Sequence, residues 1–374
     1  MKLITSEVTY QTFAEMPLDP ALSTVLQKMK IDQPTLIQKQ AFPIALAGHD
    51  LVGIAETGSG KTLIYLLTIF SKLLSDPNSR ALVLTPSRET ADQVFRTVTE
   101  ISEGLSISSC LVVAGMPDKV QTSQLKKNPR LIVATPGRLL DHLSGNKLLL
   151  QKMSILVIDE ADRMLNEGFG EQLKKIKSTT RGEYQTMMYS ANFHKLAEQF
   201  SESFLRPGCY LIKTQGAEKP VSNLRQIIIF TDYGLKKDKL LKVLVKTRGP
   251  CIVFVNDQPN AESVHHHLSE NGLSADVIHG AFKHGHRERV MRDFRSKKFQ
   301  VLIMTDLLAR GLDIPDIEIV VNFDLPNETE DFLHRIGRTA RAGKNGTAVT
   351  FVAKSEEKLF KKFKPYVENA EERR

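Results

Sequence analysis

Cysteine is scarce: Cys110, Cys209 and Cys251 are the only three in 374 residues. They lie far apart and none stands in a CxxC pair, which excludes a disulfide framework and a zinc site and leaves buried free thiols as the expectation. Long apolar runs are missing too. No stretch approaches the roughly 20 residues that a bilayer-spanning helix needs. The start, MKLITSEVTY, has no basic segment followed by an apolar one, so an intracellular, cytoplasmic protein without membrane association is expected. There is no low-complexity tail and no basic tail. With 41% hydrophobic and 25% charged residues, the chain stands far from the weakly hydrophobic, highly charged regime of disorder.

What is present points to two domains. A chain of 374 residues exceeds what one hydrophobic core usually supports. The net charge of +8 is shared: residues 1–213 carry 24 basic and 21 acidic groups, and residues 214–374 carry 27 and 22. That balance suits a polyanion lying along a surface groove, although many basic proteins bind no nucleic acid. Short apolar runs recur with helix-like stretches between them: LVGIA, ALVLT, LIVAT and ILVID in the first half, CIVFV, VLIMT and IEIVVNF in the second. Strands alternating with helices are the pattern of a doubly wound α/β fold with a parallel sheet, and here the series occurs twice. The segment 214–222 (TQGAEKPVS) is polar and interrupts the series, as a linker does. The expected organisation is a first domain over 1–213, a linker over 214–222 and a second domain over 223–374.

Residues 55–62 read AETGSGKT, between strand-like LVGI and helix-like LIYLLTIF, the context that a phosphate-binding loop requires. Backbone amides wrap phosphates only where glycine permits close approach, as Gly58 and Gly60 do; Lys61 would reach the outer phosphates and Thr62 would offer a hydroxyl to Mg2+. The strict pattern has glycine where Ala55 stands. In ILVIDEAD, Asp159 and Glu160 would sit at the carboxyl end of a strand, the edge where open α/β sheets bind ligands. One carboxylate can position a metal and the other can orient or deprotonate a water. Taken alone, the pair reads better as a solvated acidic turn; an apolar strand before it and the GKT loop about 100 residues upstream make the two features support each other as a two-part site.

Asp159, Glu160, Ala161 and Asp162 spell DEAD, and the chain resembles the DEAD-box ATP-dependent RNA helicases of superfamily 2 from about Phe13 to about Phe351. The resemblance implies two tandem RecA-like domains that close over ATP with Mg2+ and single-stranded or short-duplex RNA, with a monomer sufficing. In PTLIQ, Gln38 would pair with adenine and Phe13 would stack on it, while Thr57, Ser59 and the glycine loop hold phosphates. TDLLARGLD and HRIGRTARAG match later motifs, with Gly311 and Asp313 near ribose and phosphates and Arg338 and Arg341 as arginine fingers, although three arginines in eight residues could also be a solvated face. RNA-path positions implied by the resemblance are Pro86, Ser87, Arg88, Ala114, Gly115, Thr135, Pro136, Gly137 and Arg138, then Asn256, His279, Gly280, Arg287, Thr305 and Arg310. Their mix of cations, hydroxyls, Gly and Pro serves phosphate oxygens without reading bases. Ser190, Asn192 and His334 are implied in coupling.

The sequence departs from the family pattern at Ile31, Thr90, Ala114, Asn192, His284 and Ala340. Asn192 stands where threonine is usual in an element that couples hydrolysis to strand separation. Two rival readings keep the fold: an ATP-dependent RNA clamp with weak unwinding, and a DNA-directed motor. His265, His266 and His267 are consecutive, and neighbouring helix positions diverge by about 100°, so they are expected on a solvated face and not around one ion.

Overall fold

The structure is a computed structural model that describes residues 2–4, 10–55, 58–145, 149–166, 168–191, 200–214, 223–306, 317–340, 345–367 and 370–373. It separates into two compact units, Met1–Glu218 and Lys219–Arg374. Most of the expected linker, residues 215–222, lies outside the described residues.

The first unit is built on strands β1 (Lys2–Ile4), β2 (Leu51–Ile54), β3 (Arg80–Leu84), β4 (Ser109–Val112), β5 (Leu131–Ala134), β6 (Met153–Ile158), β7 (Gln185–Ser190) and β8 (Tyr210–Lys213). They form one sheet in the order β1-β8-β2-β7-β6-β3-β5-β4, and every pairing is parallel. Parallel sheets are covered on both faces, so alternate residues feed two cores. Ala81 and Val83 of β3 pack with helices Leu36–Leu46, Lys61–Ser75 and Arg88–Ser102, whereas Leu82 and Leu84 pack with Pro136–Gly145 and Gly170–Thr179.

The second unit repeats the plan with β9 (Leu224–Thr231), β10 (Cys251–Val255), β11 (Ala275–Ile278), β12 (Val301–Thr305), β13 (Ile319–Asn322), β14 (Gly346–Ala353) and β15 (Glu371–Arg373). Their order is β11-β12-β10-β13-β14-β9-β15, again all parallel. The two doubly wound sheets are those expected from the strand series.

All three cysteines are buried and free, and burial pushes the Cys110 thiol up to about 11 and that of Cys251 to about 12. The histidine trio diverges on helix Gln258–Glu270. His265 Nε2 lies 3.2 Å from the Ala275 carbonyl oxygen, His266 pairs with Glu270 and His267 with Asp238.

Candidate active site

The phosphate-binding loop connects β2 to helix Lys61–Ser75. Gly60 caps that helix with φ 87°, a left-handed conformation that side chains resist. A Cβ there would also fall 2.3 Å from Gln38 Nε2. The Gln38 amide holds the loop from outside: its Nε2 donates to the Gly60 carbonyl at 3.0 Å and its Oε1 accepts from the Thr35 amide at 2.8 Å. Thr35 donates its hydroxyl to the Ser59 carbonyl at 2.7 Å. Thr35 and Gln38 together form the capping box of helix Leu36–Leu46. Both ends of the expected adenine-reading amide are therefore engaged within the protein. Phe13 is buried in the same core, in a short turn tied to Asp32. Lys61 donates its ammonium to the Ala55 carbonyl.

Across the sheet, β7 lies between β2 and β6, so Ser190 and Asp159 emerge beside the loop. Asp159 is buried, and both its oxygens accept hydrogen bonds: Oδ1 from the Glu160 amide at 2.9 Å and Oδ2 from the Tyr65 hydroxyl at 2.8 Å. Tyr65 stands one turn after Thr62 on helix Lys61–Ser75. The helix that carries Thr62 is thus tied to Asp159 through Tyr65, and a hydroxyl and a carboxylate are the hard oxygen donors that Mg2+ takes. Among the described residues no group of three or more His, Cys, Asp or Glu side chains could hold a metal ion. Burial raises the Asp159 pKa, while the Tyr65 hydrogen bond and the Lys61 charge oppose it. Burial also raises that of Glu160, against the Arg163 guanidinium 3.2 Å away. Glu160 takes φ 49°, a left-handed turn costly for a residue with a side chain and recurrent at functional sites. Behind it Asp162 N donates to Ser190 Oγ at 3.4 Å, which ties the DEAD segment to the Ser190-Ala191 corner.

The other half of the sheet edge carries the loops after β3, β5 and β4. Ser87 caps helix Arg88–Ser102 by accepting from Thr90 N, and Thr90 adds a hydroxyl contact to Ser87 at 3.1 Å. The threonine found where leucine is usual is thus an added polar tie. Arg88 Nη1 donates to the Ala114 carbonyl at 3.1 Å, and a Cβ on Gly115, whose φ is 80°, would lie 2.5 Å from that nitrogen. Thr135 follows β5 with its amide on the Val112 carbonyl, Pro136 and Gly137 open the next helix, and Arg138 pairs with Asp118 at 2.6 Å. Pro86 is buried. The sheet order therefore sets nucleotide candidates on β2, β7 and β6 beside nucleic-acid candidates on β3, β5 and β4.

In the second unit Asn256, Gly280 and Thr305 stand at the carboxyl ends of the adjacent strands β10, β11 and β12. Arg335 and Arg338 are 1% and 4% exposed, so for these two the solvated-face alternative fails. Arg335 forks onto Asp306 at 2.5 and 2.6 Å, donates to the Asp324 carbonyl at 2.6 Å and reaches Asn256 Oδ1 at 2.9 Å. Sequence reasoning missed this bracket; the signal was Asp306 next to Thr305 and an arginine beside His334. Tyr65 and Thr35 were missed as well, inside an apolar helix face and before PTLIQ's glutamine. His334 is half-buried on helix Thr329–Ile336. Thr57, Asn192, Arg310, Gly311, Asp313 and Arg341 lie outside the described residues.

Ala340, where the family commonly has glycine, takes φ 58° and is buried. Left-handed geometry costs an L-residue about 1–2 kcal/mol, partly offset by the greater freedom of glycine in the unfolded chain. Ala340→Gly is therefore expected to raise the urea midpoint of the second unit by about 0.5–1 kcal/mol of stability, whereas Ala340→Val lowers it.

A glycine loop with Lys and Thr after one strand, and an Asp-Glu pair after a neighbouring strand but one, define a phosphate-loop nucleotide-binding α/β protein. The sequence model of the DEAD/DEAH box helicase family matches residues 35–200, and that of the helicase conserved C-terminal domain matches 235–343. The chain is 37% identical to the ATP-dependent RNA helicase DDX47 of Drosophila melanogaster over 94% of its own length and 70% of that protein's. It is 39% identical to the ATP-dependent rRNA helicase rrp3 of Aspergillus oryzae, over 91% and 73%. The structure of Dbp5 from S. cerevisiae bound to RNA and ADP BeF3 superposes with a TM-score of 0.85 at 31% identity, covering 97% of this chain and 95% of that one. The chain belongs to the DEAD/DEAH box helicase family.

Proposed function

We propose that the chain is an ATP-dependent RNA helicase that grips the backbone of single-stranded RNA without reading sequence, opens short duplexes or remodels RNA–protein complexes, and hydrolyses ATP to ADP and phosphate to release the RNA. The observation that carries this reading is the strand order of the first sheet, which sets the phosphate loop and the DEAD carboxylates on the same edge as the loops holding Arg88, Gly115 and Arg138. The relatives named as ATP-dependent RNA helicases, and the RNA and ADP BeF3 bound by Dbp5, support it.

The amides of Gly58 to Gly60 would cradle the phosphates, with Thr57 beside them, and Lys61 would leave the Ala55 carbonyl to meet their charge. Thr62 and Asp159 would hold Mg2+, which when bound neutralises charge developing on the phosphoryl oxygens. Glu160 would orient and deprotonate the attacking water. Gln38 would exchange its Gly60 partner for adenine, with Phe13 against the base, so that base recognition and loop opening are one event. Gly311 and Asp313 would meet ribose and phosphates. Arg338 and Arg341 would supply cations to the transferring phosphoryl group once the two units close, with Ser190, Asn192 and His334 coupling closure to hydrolysis. Pro86, Arg88, Gly115, Thr135 to Arg138, Gly280, Thr305 and Arg310 would line the RNA backbone. Closure that bends one strand removes it from A-form geometry, so a few base pairs open locally and no translocation is required. Among the described residues no helix is long and apolar enough to cross a membrane, and we place the protein in the cytoplasm as a monomer.

Phosphate release tests this reading. Single-stranded RNA is expected to stimulate it strongly and DNA of the same sequence little, and RNA should tighten ATP by the factor by which ATP tightens RNA. Equal stimulation by DNA would turn the reading to a DNA motor; no stimulation by either would overturn it.

A further inference from the structure

The positive charge of the second half is concentrated in one place. Residues 283–298 carry seven Lys and Arg against two Asp and Glu, whereas the rest of 214–374 carries twenty of each. The whole +5 excess of that half therefore resides in this stretch. It is the helix His284–Arg295 with its flanks. Val290, Met291 and Phe294 face the core, and Arg289, Arg292, Arg295, Lys297 and Lys298 are exposed. At about 100° per residue, Arg289 and Arg292 point opposite to the buried stripe. A solvated helix face ordinarily mixes both signs; this one sets five exposed cations against the exposed carboxylate of Glu288, with Lys298 paired to Asp293 at 2.7 Å.

Its position gives the charge a direction. Strand β11 is at the edge of its sheet, so the helix that follows lies on the outer flank of the unit. The helix starts from the loop that holds Gly280, on the path assigned above to RNA, and runs about 18 Å at 1.5 Å per residue. A column of rings fixes this start: His279 stacks on Phe282 at 4.1 Å between centroids and Phe282 on His286 at 4.3 Å, with His279 Nε2 2.9 Å from Glu262 Oε1 and Arg289 Nη2 3.1 Å from His286 Nδ1. The basic face is thus held in fixed register with the loop.

We propose that this face is an accessory RNA surface, which holds the phosphates of RNA that extends beyond the core site past Gly280. It rests on the helicase reading and deepens it, making affinity depend on substrate length outside the catalytic path. Contacts of this type are electrostatic and independent of sequence, and for single strands each phosphate neutralised adds about 0.7 to the slope of log affinity against log salt.

The test compares the unaltered chain with Arg292→Gln/Arg295→Gln/Lys297→Gln, which leaves Arg289 and its contact with His286 in place; glutamine keeps helix propensity while removing charge. Anisotropy titrations use a short oligouridylate that fills only the core and one several times longer, with a non-hydrolysable ATP analogue, over a series of KCl concentrations. The variant is expected to lose roughly tenfold in affinity for the long RNA at low salt, with a slope smaller by about 2. Its affinity for the short RNA, and its ATPase stimulated by that RNA, should stay unchanged. An unchanged slope with the long RNA overturns the proposal, and so does an equal loss with the short one, which would make these cations part of the core path. Should the unaltered chain show no RNA-stimulated ATPase, the helicase reading itself fails, which is a separate result.

Discussion

In Glu160→Gln, RNA-stimulated phosphate release is expected to fall by about 10²–10⁴, the range of a positioned general base, while nucleotide and RNA still bind. Glutamine keeps the shape of the side chain and can still accept from Arg163, which lies 3.2 Å from Glu160 Oε2. It cannot accept a proton from water. The left-handed backbone at residue 160 is unaltered by an isosteric change, so thermal stability should hardly move. If hydrolysis is the step that reopens the two units, the variant will also release RNA more slowly in ATP than the unaltered chain does. Single-turnover phosphate release and RNA dissociation, measured on the same preparation, check both expectations. A rate within a few-fold of the unaltered chain would remove Glu160 from catalysis and leave a clamp that binds without this base.

The second large effect falls on stability. Arg335→Met would strip Asp306, the Asp324 carbonyl and Asn256 of the guanidinium that bonds all three. Removing one partner of a buried ion pair costs about 3–5 kcal/mol, because the charge left behind has no counterion. Asp306 keeps some access to water, with 28% of its side chain exposed, which points to the lower end of that range. The loss should appear as a lower urea midpoint of the second unit. Arg335→Lys should recover little, since one ammonium cannot reproduce a planar fork that reaches four acceptor oxygens on three residues. Asp306→Asn combined with Arg335→Met should cost less than the sum of the two, because the stranded charge is then gone. If Arg335→Met is neutral, the bracket is packing only.

The same bracket separates what pattern reveals from what only assembly reveals. Spaced along the chain, Asn256, Asp306, Asp324 and Arg335 share no motif, and three arginines within eight residues are compatible with a solvated face. They meet because β10, β12 and β13 are neighbours in the sheet and end at one edge. Gln38 makes a similar point. Its amide suits adenine, yet it also completes a capping box with Thr35 and reaches the Gly60 carbonyl, a contact made by two segments that the sequence lists far apart.

By itself the sequence determined the two doubly wound halves, the glycine loop, the DEAD carboxylates and the family, because each is written in adjacent residues: apolar runs for strands buried on both faces, glycine where backbone must approach phosphate. Strands such as β7 (QTMMYS) and β11 (ADVI) are not legible in this way, being polar or short, and become strands through their neighbours in the sheet. Tertiary structure alone decided the bond from Tyr65 to Asp159, the burial of Arg335 and Arg338, and the sheet order that sets the candidate nucleotide loops beside the candidate RNA loops. Those depend on which strands lie side by side, a choice made by the packing of whole layers and not by any local run of residues.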